Sequence, residues 1–111
     1  MAEDKETEQK IAQLQMFEQS LQNILMQKQK FQSQLMEVES ALKEVGETKE
    51  AYKIVGNVMV AAKKEELQKE LKEKQEMLKL RISTIEKQEK HIKDKSVKMR
   101  EEVMEKMEKN E

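Results

Sequence analysis

Residues 52–61 have the sequence Tyr-Lys-Ile-Val-Gly-Asn-Val-Met-Val-Ala, the one segment of this 111-residue chain with β-strand character. β-Branched residues flank Gly56-Asn57, and glycine at the first central position tolerates the positive φ of a type II′ turn. The segment predicts an antiparallel hairpin over about 51–61, in which the sequence numbers of facing residues sum to 113. One face would carry Lys53, Val55, Val58 and Val60, and the other Tyr52, Ile54, Met59 and Ala61.

The sequence before the hairpin has a heptad repeat. Two seven-residue series, offset by three residues, are apolar at nine of ten positions, and Lys28 is the polar exception. Such a narrow stripe is typical of a helix that faces a partner helix, so we expect a helix over about 5–46, with Gly46 as its C-cap. The series are Leu14, Leu21, Lys28, Leu35 and Leu42, and Phe17, Ile24, Phe31, Val38 and Val45.

The sequence after the hairpin repeats this pattern with a weaker stripe. One series is apolar throughout and its companion is mixed, which predicts a second helix over about 63–108. The series are Leu71, Leu78, Ile85, Ile92 and Met99, and Gln75, Ile82, Glu89, Ser96 and Val103. The sum of 113 also places Leu14 opposite Met99 and Leu35 opposite Leu78. The predicted fold is therefore mainly α, a long antiparallel two-helix coiled coil with a central β-hairpin, forming one domain over 1–111.

Composition narrows the possible functions. Charged residues make up 41% of the chain, against about 25% in an ordinary globular domain, which is too much for a conventional compact core. Cysteine is absent, and the longest apolar run, Val58 to Ala62, is far shorter than the ~20 residues of a membrane span. We therefore expect a soluble cytoplasmic protein without membrane contact.

Catalytic and ligand-binding signals are weak. His91 is the single histidine, and its helical neighbours Lys87 and Lys95 would repel a metal ion. There is no glycine-rich phosphate loop, so we expect no enzyme, no metal and no cofactor. Residues 86–100 carry a net charge of +3, but interspersed acids and missing aromatics argue against nucleic acid. Docking of that segment to an acidic protein surface is at least as well supported.

Two apolar surfaces have no partner in the predicted fold. The hairpin is apolar on both faces, which indicates oligomerisation through it, with a flexible apolar linker as the alternative. Near the helix ends, Val103, Met104 and Met107 would lie opposite residues 6–10, which offer no apolar partner. We expect these three side chains to be exposed and the acidic C-terminal end to fray, and flexible methionine suits binding of varied sequences. The alternative is that the terminal heptads simply taper off.

Several short motifs resemble the β-class subunits of archaeal prefoldin. They are the hairpin sequence Tyr52–Val60, then Lys64-Glu65-Glu66-Leu67, Arg81-Ile82 and Glu86-Lys87-Gln88-Glu89. A single hairpin argues against the α class, whose longer central region carries a second one. The resemblance covers nearly the whole chain.

The resemblance implies a heterohexamer of two α-class and four β-class subunits, held together by β-barrels built from the hairpins. It also implies an ATP-independent co-chaperone that captures non-native proteins at the coiled-coil tips and delivers them to a group II chaperonin. The barrel residues would be Tyr52, Ile54, Val55, Val58, Met59 and Val60. The client-binding tip residues would be Ile11, Leu14, Met16, Phe17, Met99, Val103, Met104 and Met107. A passive coiled-coil oligomerisation scaffold is the alternative function.

Overall fold

The computed structural model describes the backbone of residues 2–109 and the side chains of residues 5–109. Helix α1 spans Ala2–Glu47, strand β1 Ala51–Val55, strand β2 Val58–Ala62 and helix α2 Lys64–Lys109. The ends of the expected domain, Met1, Asn110 and Glu111, lie outside the described residues. The described chain forms two compact units, one of residues 2–28 with 84–109 and the other of residues 29–83.

The second unit contains the hairpin in the predicted register. Strands β1 and β2 pair antiparallel from Ala51 opposite Ala62 to Val55 opposite Val58. Gly56 has a φ of +61°, and no other described residue has a positive φ, so Asn57 stays out of the left-handed region. This combination fits a type II′ turn and excludes type I′, which needs two positive φ values. The sequence prediction of the turn and of the two faces is confirmed.

Helix α1 ends differently from the prediction. Gly46 is not a left-handed C-cap, because it lies inside the helix and lacks a positive φ. The Thr48 backbone N–H instead donates to the Glu44 carbonyl at 3.1 Å, and the Thr48 hydroxyl donates to the Val45 carbonyl at 3.4 Å. The Lys64 ammonium donates to the Gly46 carbonyl at 3.1 Å. A cation from the start of α2 therefore satisfies a carbonyl that the end of α1 leaves unpaired.

The predicted heptad series form the apolar seam within each unit. All twenty positions of the four series are buried or half-buried, the polar ones included. The most buried apolar residues are Ile24, Ile85 and Val103 in the first unit and Val38 and Leu78 in the second. A period of 3.5 residues places these positions on one side of each helix, where they shield one another. The stability of the helices in each unit depends on the continuity of this seam.

Contacts between the helices establish their antiparallel pairing in each unit. In the first, the Lys10 ammonium lies 3.2 Å from a Glu102 carboxylate oxygen. In the second, the Arg81 guanidinium lies over the Phe31 ring, 5.6 Å from its centre, at a distance typical of a cation–π contact. Both pairs fall within one residue of the predicted alignment. The predicted fold, two long helices with a central antiparallel hairpin, is confirmed.

Candidate functional site

The hairpin presents an apolar surface to solvent. We call it the hairpin surface, and each of its six large side chains is exposed, from 41% for Val60 to 69% for Ile54. Its members are Tyr52, Ile54, Val55, Val58, Met59 and Val60. Alternation along the strands distributes them over both faces of a two-stranded sheet. Two-stranded sheets are marginal in water, so this surface is a candidate for contact with a partner.

Polar contacts tie the hairpin to α2 and to the residue before β1. The Lys53 ammonium lies 3.1 Å from a Glu70 carboxylate oxygen of α2, and the Tyr52 hydroxyl donates to the Glu50 carboxylate at 3.0 Å. An open groove of about 560 Å³ lies beside this ion pair, with Leu67 and Met77 among its lining residues. Lys53 is the one charged residue of the hairpin, and Glu70 neutralises it. The remaining hairpin surface therefore offers apolar contact and strand edges rather than charge.

The helix ends form a second candidate surface, which we call the tip surface and which lies wholly within the first unit. Its exposed members are three methionines, Met16, Met104 and Met107, at 66%, 58% and 55% exposure. Four further predicted members are half-buried in the seam. They are Ile11, Leu14, Phe17 and Met99. All of these predicted residues lie in the first unit, and the three methionines are the ones that solvent reaches most.

Val103 corrects the sequence prediction, because it is buried at 6% exposure rather than exposed. The prediction counted only apolar partners among residues 6–10. The Lys10 side chain reaches Glu102, the residue before Val103, and Lys106 lies one turn after Val103. Both lysine side chains are half-buried. Long aliphatic stems cover apolar surface while their charged ends stay in water, and we attribute the burial of Val103 to these two side chains.

Two ion pairs join the beginning of α1 to the end of α2. Lys106 bonds to Glu6 at 2.5 Å, and Lys10 pairs with Glu102. The hydrogen bond from Lys106 holds the pKa of the Glu6 carboxyl below its ordinary value, with the positive charge of Lys106 adding to the effect. Helix α2 continues to Lys109, the last described residue, and fraying of this end in solution stays a prediction.

A polar layer within the seam escaped the sequence prediction. The Lys28 ammonium lies 3.5 Å from a carboxylate oxygen of Glu89 and 3.8 Å from one of Glu86, and Lys93 approaches Glu89 at 3.8 Å. The side chains of Lys28 and Glu89 are only 21% and 16% exposed. Lys28 and Glu89 are both polar residues at heptad positions of the seam. The presence of one such charged exception on each helix was the sequence signal from which their pairing could have been predicted. The two exceptions compensate each other within the first unit.

Other kinds of site lack support in the described part of the chain. Between residues 5 and 109, no group of three or more His, Cys, Asp or Glu side chains is placed to hold a metal ion. His91 is exposed on α2. Neither helix, over the residues described, combines the length and the hydropathy needed to cross a membrane. The hairpin surface and the tip surface therefore remain the candidates, and both suit contact with protein.

Comparison with known proteins agrees with this geometry. A family model described as a prefoldin subunit matches residues 8–110. The fold is similar to the crystal structure of the prefoldin beta subunit from Thermococcus strain KS-1, with a TM-score of 0.85 and 33% sequence identity. That match covers 90% of this chain and 90% of the other. A sequence comparison with curated proteins found no match.

Proposed function

Because the chain belongs to the prefoldin subunit family, whose members are chaperones rather than enzymes and assemble with one another, we propose that it is an ATP-independent holdase. It captures non-native proteins at the tip surface and delivers them to a group II chaperonin. It works in the cytoplasm as a hetero-oligomer of two α-class and four β-class subunits, joined through the hairpin surface.

The observation that carries the proposal is the exposure of Met16, Met104 and Met107 where the two helices of the first unit end. Methionine side chains are unbranched and polarizable, so they adapt to apolar segments of many shapes. Surfaces of this kind bind many sequences weakly, as a holdase must in order to release its clients. The half-buried seam residues beside them add apolar area whenever the ends open.

Serine substitutions of two tip methionines test the proposal. Met104→Ser with Met107→Ser removes exposed apolar surface without disturbing the seam, so helicity by circular dichroism should stay unchanged. We expect this variant to suppress aggregation of a denatured substrate several-fold less well than the parent chain. Val103→Ser is unsuitable for this test because that side chain is buried and its loss would weaken the helix pair.

Met26→Ser with Met36→Ser is the matched control. These methionines are 68% and 70% exposed on α1 but lie outside the tip surface. The control should retain full aggregation suppression. Equal losses in the two double variants would refute the tip assignment. No suppression by the parent oligomer would instead favour the passive scaffold.

Delivery is tested separately from capture. A labelled client held by the oligomer is mixed with a group II chaperonin, and its transfer is followed by native gel or by energy transfer between fluorophores. Transfer should proceed without ATP, because the chain offers no phosphate-binding loop. A client that stays with the oligomer at saturating chaperonin would refute delivery while leaving capture intact.

A further inference from the structure

A second heptad stripe runs along α2 outside the seam. Its positions follow one another at alternating spacings of three and four residues, and all six side chains are exposed. They are Lys90, Lys93, Val97, Arg100, Met104 and Met107. At 100° per residue they occupy an arc of about 100° on one side of the helix, and at 1.5 Å per residue they span about 25 Å. We call this set the flank stripe.

Ion pairing within the first unit leaves the flank stripe positive. Two of the three acidic residues between 86 and 100, Glu86 and Glu89, are drawn toward Lys28 of α1. Lys93 keeps a contact of 3.8 Å with Glu89. Among the described residues, Lys90 and Arg100 have no ion-pair partner. The stripe therefore combines uncompensated cations with the exposed apolar side chains of Val97, Met104 and Met107.

We propose that the flank stripe docks an acidic amphipathic helix of a client protein, which lies along α2 as a third helix. The inference rests on the proposed function and specifies which client segments bind best. A partner that matches a three-four spacing over this length must have the same period, and an α-helix does. Its apolar residues cover Val97, Met104 and Met107, and its carboxylates face Lys90, Lys93 and Arg100.

Charge and composition favour protein over nucleic acid on this stripe. Half of the side chains in the stripe are apolar, so phosphate groups could bind along only part of its length. None of them is aromatic, so nucleic-acid bases would find no side chain on which to stack. An acidic helix with apolar residues complements both halves of the stripe. Charge complementarity of this kind increases the rate of association and selects among partners.

The test measures binding of three labelled probes to the full-length chain by fluorescence anisotropy, at fixed chain concentration and ionic strength. One probe is a peptide of about 20 residues with leucine and glutamate at three-four spacing, long enough to cover the stripe. The second carries lysine in place of each glutamate. The third is a single-stranded oligonucleotide. We expect the acidic peptide to bind at least about tenfold more tightly than the basic one, and more tightly than the oligonucleotide.

Matched charge reversals locate the site. Lys90→Glu with Arg100→Glu should weaken binding of the acidic peptide about tenfold, because each substitution replaces an attraction with a repulsion. Lys95→Glu with Lys98→Glu makes the same change in net charge on the same helix but outside the stripe. That control should change the affinity less than about twofold. Circular dichroism of both variants checks that the helices are retained.

Several outcomes would overturn the inference. These are equal losses in the two double variants, equal affinity for the two peptides, no binding of the acidic peptide, and tighter binding of the oligonucleotide. Each leaves the proposed function standing if the parent chain still suppresses aggregation. Failure of the parent chain in the aggregation assay would instead refute the proposed function.

Discussion

The polar layer formed by Lys28 and Glu89 makes a quantitative prediction about stability. An exposed ion pair contributes up to about 1 kcal/mol, whereas breaking a fully buried one costs about 3–5 kcal/mol. These side chains are 21% and 16% exposed, so they lie between the two limits but nearer the buried one. Lys28→Leu or Glu89→Leu alone should therefore lower the free energy of unfolding by about 2 kcal/mol.

The double substitution Lys28→Leu with Glu89→Leu should restore stability to the parent value or above it. Both seam positions would then be apolar, without the cost of desolvating a charge. Urea denaturation followed by circular dichroism gives the four free energies of a double-mutant cycle. The chain concentration is held constant, because assembly contributes to apparent stability. We expect a coupling energy of at least about 1 kcal/mol.

Additive effects would refute this explanation. If the double variant loses the sum of the two single losses, Lys28 and Glu89 do not compensate each other in solution. The contribution of Glu86 to stability is measured separately with Glu86→Gln, which removes the longer of the two ion-pair contacts made by Lys28. That substitution should cost less than about 1 kcal/mol, because the Glu86 side chain is 52% exposed.

Three further predictions follow from other parts of the structure. Val58→Asp with Val60→Asp should dissociate the oligomer, because it places unpaired charge on the hairpin surface, and an unchanged mass by light scattering would contradict this. Gly56→Ala should lower the free energy of unfolding by about 1–2 kcal/mol, because the φ of Gly56 is +61°. Gly46→Ala should raise it by about 0.5–1 kcal/mol, because Gly46 lies inside α1. Melting temperatures that shift in the same direction for both variants would contradict these two predictions. The pKa of Glu6 is lowered in the folded chain, so its contribution to stability is complete above the ordinary glutamate pKa and is lost as the pH falls through the folded value. Spin labels near the start of α1 and the end of α2 should separate over that acidic range.

Local chemistry and periodicity explain why much of the fold could be predicted from the sequence. The turn at Gly56-Asn57 depends on the φ of one residue, and the register of five residue pairs follows from it. The apolar positions of the seam repeat every seven residues, so one polar residue in a series does not hide the pattern. Even Ser96, a polar residue in the weaker series, is buried where the period places it.

Long charged side chains account for most of what the sequence did not reveal. The period places Lys28 opposite Ile85, but the lysine chain is long enough to reach Glu89, one turn further along α2. The same property explains Val103, which was expected to be exposed because no apolar residue faces it. The end of α1 was missed for a related reason, since the cation that serves Gly46 comes from Lys64, eighteen residues later.

The exposed hairpin surface has a consequence for the life of each newly made copy. A subunit that has not met its partners displays six large apolar side chains and two free strand edges, the features by which quality-control proteases identify damaged proteins. Surplus copies should therefore be short-lived, and the supply of each subunit would be matched to the others through turnover as well as synthesis. On the proposed function, a protein that keeps other chains from aggregating would itself depend on assembly for its survival.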